Sequence, residues 1–442
     1  MKFIVRASIL FVIGFFVFTQ NAQAELQVNI TRGSVEPLPI AVKNFSADTA
    51  ENAKLGRDMA QIVRRNLAAS GLFDPIDPNR FPSGMESENP AQPQFKVWRG
   101  LSAQALAIGT IQTDASGQTR LEFRLWDIYA EKQMIGLAYT TTPSNWRRIA
   151  HIMSDEIYSR ITGEAGYFDS RIVYIAESGS PIDRKKRLAI MDQDGANHRF
   201  LTSGNELVLT PRFSPNQQMI TYLSYFNNRP RVYLYDLSTG RQKVLGDFRG
   251  MTFAPRFSPD GQTVVMSYAE NGNTDIFEMN IKTEKTKPLT RHPGIDTAPS
   301  YSPDGKNIVF ESDRSGTQQL YIMDRDGDDV RRITFGDGRY ANPVWSPRGD
   351  LIAFTKMKGG LFYIGVVKPN GTGERIIAQA YHAEGPTWSP NGRVIAYFKE
   401  TRGTSTKGKT SSIYTIDLTG YNEQKLQTPE GASDPAWSPV NE

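Results

Sequence analysis

Cysteine is absent from the chain of 442 residues. That excludes a disulfide framework and a thiol nucleophile together. Histidine is scarce, at 151, 198, 292 and 382, with no H-E-x-x-H and no pair at helical spacing, so each reads as a surface or loop residue rather than a metal ligand. A charge of one sign is missing too. The 51 Lys and Arg against 47 Asp and Glu leave a formal +4, which drops to +2 without Lys2 and Arg6. A dedicated nucleic-acid binder would carry a strongly basic domain or stripe. G-x-S-x-G, P-loop and G-x-G-x-x-G signatures are likewise absent, and the single Trp-Asp dipeptide (126–127) stands alone. "DQDG" (192–195) and "DRDGDD" (324–329) lack the glycine and glutamate positions of a calcium loop and read as hairpin turns. No catalytic, cofactor or metal site emerges.

Long apolar runs are also few. The one strong run, "ILFVIGFFVF" (9–18), follows Lys2 and Arg6 and precedes "AQA" (22–24). Ten apolar residues are too short to span a bilayer. Residues 1–24 therefore read as a secretory signal peptide cleaved after Ala24, and the rest as an exported protein with no membrane insertion.

What the chain has in plenty is one phrase. "TPRFSP" (210–215), "APRFSP" (254–259), "APSYSP" (298–303), "NPVWSP" (342–347), "GPTWSP" (385–390) and "DPAWSP" (434–439) place prolines at 211, 255, 299, 343, 386 and 435. A period of about 44 residues means a solenoid, an array or a propeller. After "PSYS", "SPDG" is a turn in which Pro303 presets φ and Gly305 takes φ > 0. "NIVFES" (307–312), "QLYIMD" (319–324) and "VRRIT" (330–334) then read as three short strands with no helical period. Four strands per unit predict a β-propeller. Residues 171–202 supply three strands without a leading Ser-Pro strand, and residues 433–438 supply a leading strand with nothing after it. Joined, they complete a sixth blade and remove a free sheet edge. Inner strands reading "RFS", "SYS", "VWS" and "TWS" show none of the carboxylates that a ligand-binding or hydrolytic propeller, the competing reading, would turn inward.

Residues 25–165 have another character. "AVKNF" (41–45), "ALAIGTIQT" (105–113) and "RLEFRLWDIY" (120–129) read as strands. Residues 48–71 read as an amphipathic helix with Asp48 as N-cap and Gly71 at the stop, and 144–163 as a second helix. "FPSGMESENPAQPQ" (81–94) reads as a surface loop. The expected architecture is thus an N-terminal α/β domain over 25–165 followed by an all-β six-bladed propeller over 166–442, closed by its C-terminal strand on the first blade.

A leader, a small α/β domain and six blades bearing "P-x-[FYW]-S-P-[DN]-G" resemble the TolB family, the periplasmic propellers of the Tol–Pal envelope system. The departures are "SPNQQ" (214–218), "SPRGD" (346–350) and "SPVNE" (438–442). The resemblance implies a non-enzymatic, monomeric periplasmic adaptor for outer-membrane integrity and constriction at division. It implies that the propeller docks the lipoprotein Pal, with Met251, Ala254 and Thr297 at the contact positions; the family usually has histidine where Met251 stands. It implies TolA binding by the segment Glu25, Leu26, Gln27, Val28, Asn29 and Ile30. That run alternates apolar and polar residues, which suits strand addition to a partner's sheet and equally suits a first strand of the α/β domain. Other envelope proteins, and bacteriocins that thread the channel in some members, remain open as partners. "TRGTSTKGKT" (401–410) lengthens the last period and reads as a basic, solvated loop.

Overall fold

The computed structural model describes Leu26 and residues 36–85, 88–180, 183–216, 218–246, 248–403 and 408–441. Residues 1–24, expected to be a signal peptide, and most of the 25–30 segment lie outside these residues. No helix among those described is long and apolar enough to cross a membrane.

The N-terminal sheet contains β1 (Leu38–Val42), β2 (Ser46–Ala47), β3 (Phe73–Pro75), β4 (Ala105–Thr113), β5 (Thr119–Asp127) and β6 (Lys132–Thr141), in the order β3-β1-β4-β5-β6 with β2 beside β4. β1 pairs in parallel with β3 and β4, and β4-β5-β6 form an antiparallel meander. Three helices accompany it: α1 (Ala50–Ala69), the short α2 (Phe95–Gly100) and α3 (Trp146–Thr162). The first strand lies three residues earlier than the run at 41–45 suggests, because parallel pairing at Pro39 needs only its carbonyl, which accepts from Gln104 N–H at 2.9 Å. The N-cap of α1 is Thr49 rather than Asp48. Thr49 is extended (φ −125°, ψ 159°), and its hydroxyl accepts from Asn52 N–H. Asp48 sits one residue too early and holds the Asn52 side-chain amide instead, at 3.0 Å. α3 ends at Gly163, left-handed at φ 73°.

Six four-stranded antiparallel sheets follow. We number as blade 1 the composite sheet in which Gly431–Trp437 pairs with Arg171–Gly179, Trp437 opposite Ile172. Blades 2 to 6 then have inner strands Val208–Phe213, Met251–Phe257, Asp296–Tyr301, Arg339–Trp345 and His382–Trp388. Each inner strand begins at what we term the entrance face and ends in its Ser-Pro turn at the opposite, turn face. Ser302 explains the motif. Its Oγ donates to Asp304 Oδ1 at 2.6 Å and accepts from Asn307 N–H at 2.9 Å, while Gly305 N–H closes the turn onto Ser302 O. The preceding aromatic packs between blades, Tyr301 of blade 4 donating its hydroxyl to Glu278 of blade 3 at 2.6 Å.

The N-terminal domain rests on the turn face. Asn391 Nδ2 donates to Ala165 O at 2.8 Å, and Arg348 pairs with Glu164 at 2.8 Å. One apolar cluster runs from Leu38 and Met59 through Tyr158 and Tyr167 to Trp437, so the two parts share a core. Leu26 is half-buried against that cluster and lies outside any strand.

Candidate functional site at the two ends of the propeller channel

All six inner strands break register just before the repeated proline, for example between Phe253 and Arg256. The residue there is left-handed in every blade: Thr210 (φ 47°), Ala254 (49°), Ala298 (51°), Asn342 (51°), Gly385 (66°) and Asp434 (48°). Five of the six are not glycine, although a side chain at positive φ is costly. The bulge bends each strand where it enters the channel and fixes which side chains point inward below it.

Met251 and Ala254 lie on the entrance half of the blade 3 inner strand, and Thr297 on the corresponding half of blade 4. Adjacent inner strands thus bring the three predicted contact residues to one face. Met251 and Ala254 are half-buried. Thr297 is 9% exposed, and its hydroxyl donates to the Glu311 carboxylate. That hydroxyl is spent on the fold. Glu25 and residues 27–30 lie outside the described residues.

Carboxylates do point to this half of the ring, contrary to the reading of the inner strands above. On the inner strands they precede the aromatic triplets rather than falling within them. Asp296, Glu384 and Asp434 sit on inner strands, and Glu311 on the next strand outward. Asp296 is fully buried and paired with Arg314 at 2.8 Å. Glu311 accepts from Asn342 N–H at 2.8 Å, tying blade 4 to blade 5, and burial pushes its pKa up. Burial likewise pushes up Glu384, against the attraction of His382, which also contacts Glu400 at 2.8 Å.

The turn half of the channel is different. A cavity of about 370 Å³ opens between the six Ser-Pro turns, lined by Arg212 and Arg256 from blades 2 and 3 and by Ser300 and Thr387 from blades 4 and 6.

One histidine departs from the expected surface role. His151 is 3% exposed on α3, because that helix face packs against the propeller. Its Nδ1 meets Asn66 Nδ2 at 2.9 Å. Its Nε2 points toward Asp192 at 3.9 Å, and Nε2, Asp192 and Asp194 offer ligand atoms within 4.8 Å of one another. Arg147 already supplies the cation, pairing with Asp192 at 3.3 Å and with Asp194. The arrangement is a domain-interface ion network. The turn at 192–195 is confirmed by Gly195 N–H bonding Asp192 O at 2.9 Å.

The TolB amino-terminal domain model matches residues 26–134, and the TolB beta propeller domain model matches residues 158–441. This chain belongs to the TolB family. It is 61% identical over 420 residues to the "Tol-Pal system protein TolB" of Paramagnetospirillum magneticum, covering 95% of this chain and 94% of that protein. It is 59% identical over 435 residues to the protein of the same name from Pelagibacter ubique, covering 96% and 97%. The crystal structure of TolB from Acinetobacter baumannii superposes with a TM-score of 0.81 at 29% identity, covering 94% of this chain and all of that one. The two-part architecture and the ring of blades are therefore those of the family.

Proposed function

We propose that this TolB-family chain is a non-enzymatic periplasmic component of the Tol–Pal envelope system. It is exported by residues 1–24, and residues 25–165 and 166–442 work as its two domains. The propeller entrance face docks Pal around Met251, Ala254 and Thr297, and the 25–30 segment engages TolA. The assembly supports outer-membrane integrity and constriction at division.

One observation carries the docking face. Large apolar side chains stand exposed around its rim: Leu207 (40%), Phe226 (44%), Ile295 (49%), Phe335 (71%) and Tyr381 (39%). Leu207, Ile295, Phe335 and Tyr381 lie in the loops before the inner strands of blades 2, 4, 5 and 6, and Phe226 between the second and third strands of blade 2, all on the ring's entrance side. Exposed apolar groups gathered on one face of a globular protein mark a docking surface. Arg402, in the basic insertion, stacks over Tyr381 at 4.3 Å, which places that loop on the same rim.

The test is binding of the folded periplasmic domain of Pal, measured by calorimetry. An interface of about 1,200–2,000 Å² in total is expected. Ile295→Ala and Phe335→Ala should each weaken it by about tenfold without lowering stability. Failure to bind at micromolar concentration rejects the Pal assignment. Deleting residues 25–33 should abolish TolA binding and leave Pal binding intact or stronger.

A further inference from the structure

We propose that the turn half of the channel is a binding site for a small oxyanion of the phosphate or carboxylate class, held by Arg212 and Arg256. This site lies at the end away from the entrance face and does not depend on the docking reading. Its charged lining is cationic only. Twenty-four residues line the cavity, two of them arginines and none aspartate or glutamate. Among the described residues the Arg256 side chain makes no hydrogen bond and no ion pair, while Arg212 spends Nη1 on the neighbouring Pro211 carbonyl. Two like charges from adjacent blades thus face one space, and each is held below the usual guanidinium range by loss of solvent. For Arg256 the neighbouring Arg212 adds to that effect. Asp434, at the bulge of the neighbouring blade, attracts Arg212, but among the described residues the two form no ion pair.

Blades 4 and 6 add two hydroxyls to the same lining. Ser300 and Thr387 are each 5% exposed and line the same cavity. Ser300 Oγ accepts from Trp345 N–H at 3.3 Å and Thr387 Oγ1 from Trp437 N–H at 3.1 Å. Each oxygen accepts one bond and its O–H is left to donate into the cavity. Two guanidinium groups and two buried hydroxyls without a carboxylate suit an oxyanion, which accepts every bond and neutralises the repulsion. Five of the six Ser-Pro serines donate locally, Ser214, Ser258, Ser302 and Ser389 within their own turns and Ser438 to Pro439 O.

Calorimetric titration of the purified protein with sodium phosphate, and separately with sodium succinate, tests this against sodium chloride at equal ionic strength. Saturable binding of either anion supports the site, and the tighter of the two names its class. Arg256→Met keeps the aliphatic packing of the stem and should weaken binding by about tenfold. The anion-free variant should melt no lower than the parent, because a repelling charge has gone. Three results overturn the proposal: no binding of either anion beyond the chloride control, equal binding by the Arg212→Met/Arg256→Met double variant, or an anion-free Arg256→Met that melts several degrees lower.

Discussion

Ser438 Oγ accepts the backbone N–H of Arg171 at 2.9 Å, across 267 positions of sequence. Ser302 makes the same bond to Asn307 within a single turn. The seam of the ring therefore reproduces, between its two ends, the hairpin that every other blade makes locally. Ser438 N–H returns the bond to Arg171 O at 2.8 Å, and Trp437 Nε1 donates to Ser170 Oγ at 2.8 Å. Trp437→Ala should cost about 3–5 kcal/mol, the usual range for emptying a buried tryptophan site. Ser438→Ala should cost about 1 kcal/mol, one buried hydrogen bond. Urea unfolding of both variants measures the difference, and equal midpoints for Trp437→Ala and the parent would contradict a closed ring.

Thr210 is the most strained of the six bulge residues. It is β-branched at φ 47°, and its buried hydroxyl has no hydrogen-bond partner among the described residues. Blade 5 uses asparagine at the equivalent position and blade 6 glycine, both of which tolerate left-handed backbone better. Thr210→Gly should therefore stabilise the protein by about 1 kcal/mol, the left-handed penalty less the added entropy of the unfolded chain. Ala298→Val, the reverse experiment on blade 4, should destabilise it. Thermal melts decide both, and a lower melting temperature for Thr210→Gly would mean the bulge is not strained.

The regular features were legible because each repeats a local rule. Ser, Pro, Asp and Gly in "SPDG" each have a separate job inside one turn, so the phrase revealed strand, turn and blade count together. The incomplete pieces at 171–202 and 433–438 revealed closure by the same logic. The bulge was not legible. A residue before proline is steered toward extended backbone, and only cross-strand pairing overrides this at Ala254 and its equivalents. β6 was missed because an edge strand with most side chains half-exposed or exposed carries weak alternation. The channel's charge separation, Arg212 and Arg256 at one end and Glu311, Glu384 and Asp434 at the other, depends on ring geometry that no single repeat contains.

Asp155 links α3 to the start of the propeller, accepting from Phe168 N–H at 2.7 Å and Asp169 N–H at 2.9 Å. Burial nonetheless pushes its pKa up to about 6, overcoming both donors. A raised carboxylate pKa means that the folded state binds a proton where the unfolded state does not. Stability from this group thus grows as pH falls from about 6 toward the ordinary carboxylate range near 4, and is lost as pH rises through about 6. The shift corresponds to about 3 kcal/mol. Asp155→Asn should flatten the profile between about pH 7.5 and pH 5. Melting temperatures of both proteins across that range provide the check, and parallel profiles would contradict it.

Arg147 and His151 divide one electrostatic task at the domain interface. Arg147 holds Asp192 and Asp194, while burial keeps His151 below its ordinary pKa despite the pull of those carboxylates. A depressed histidine pKa means that the unfolded state takes the proton first, so this contribution is present above about pH 6.5 and is lost as pH falls below it. Removing the guanidinium changes that balance. Arg147→Ala leaves two half-buried carboxylates facing each other and should cost about 1–3 kcal/mol near pH 8, less than for a fully buried pair. With Arg147 gone, its repulsion of His151 is gone as well. The imidazolium then becomes the cation that Asp192 and Asp194 need, and its pKa rises. The deficit should consequently shrink by about half or more on going to about pH 5.5. Arg147→Ala/His151→Asn, which has no histidine to protonate, should keep its full deficit at both pH values. Urea unfolding of the single and double variants separates these cases, and a deficit independent of pH in Arg147→Ala would show that His151 is not coupled to the two carboxylates.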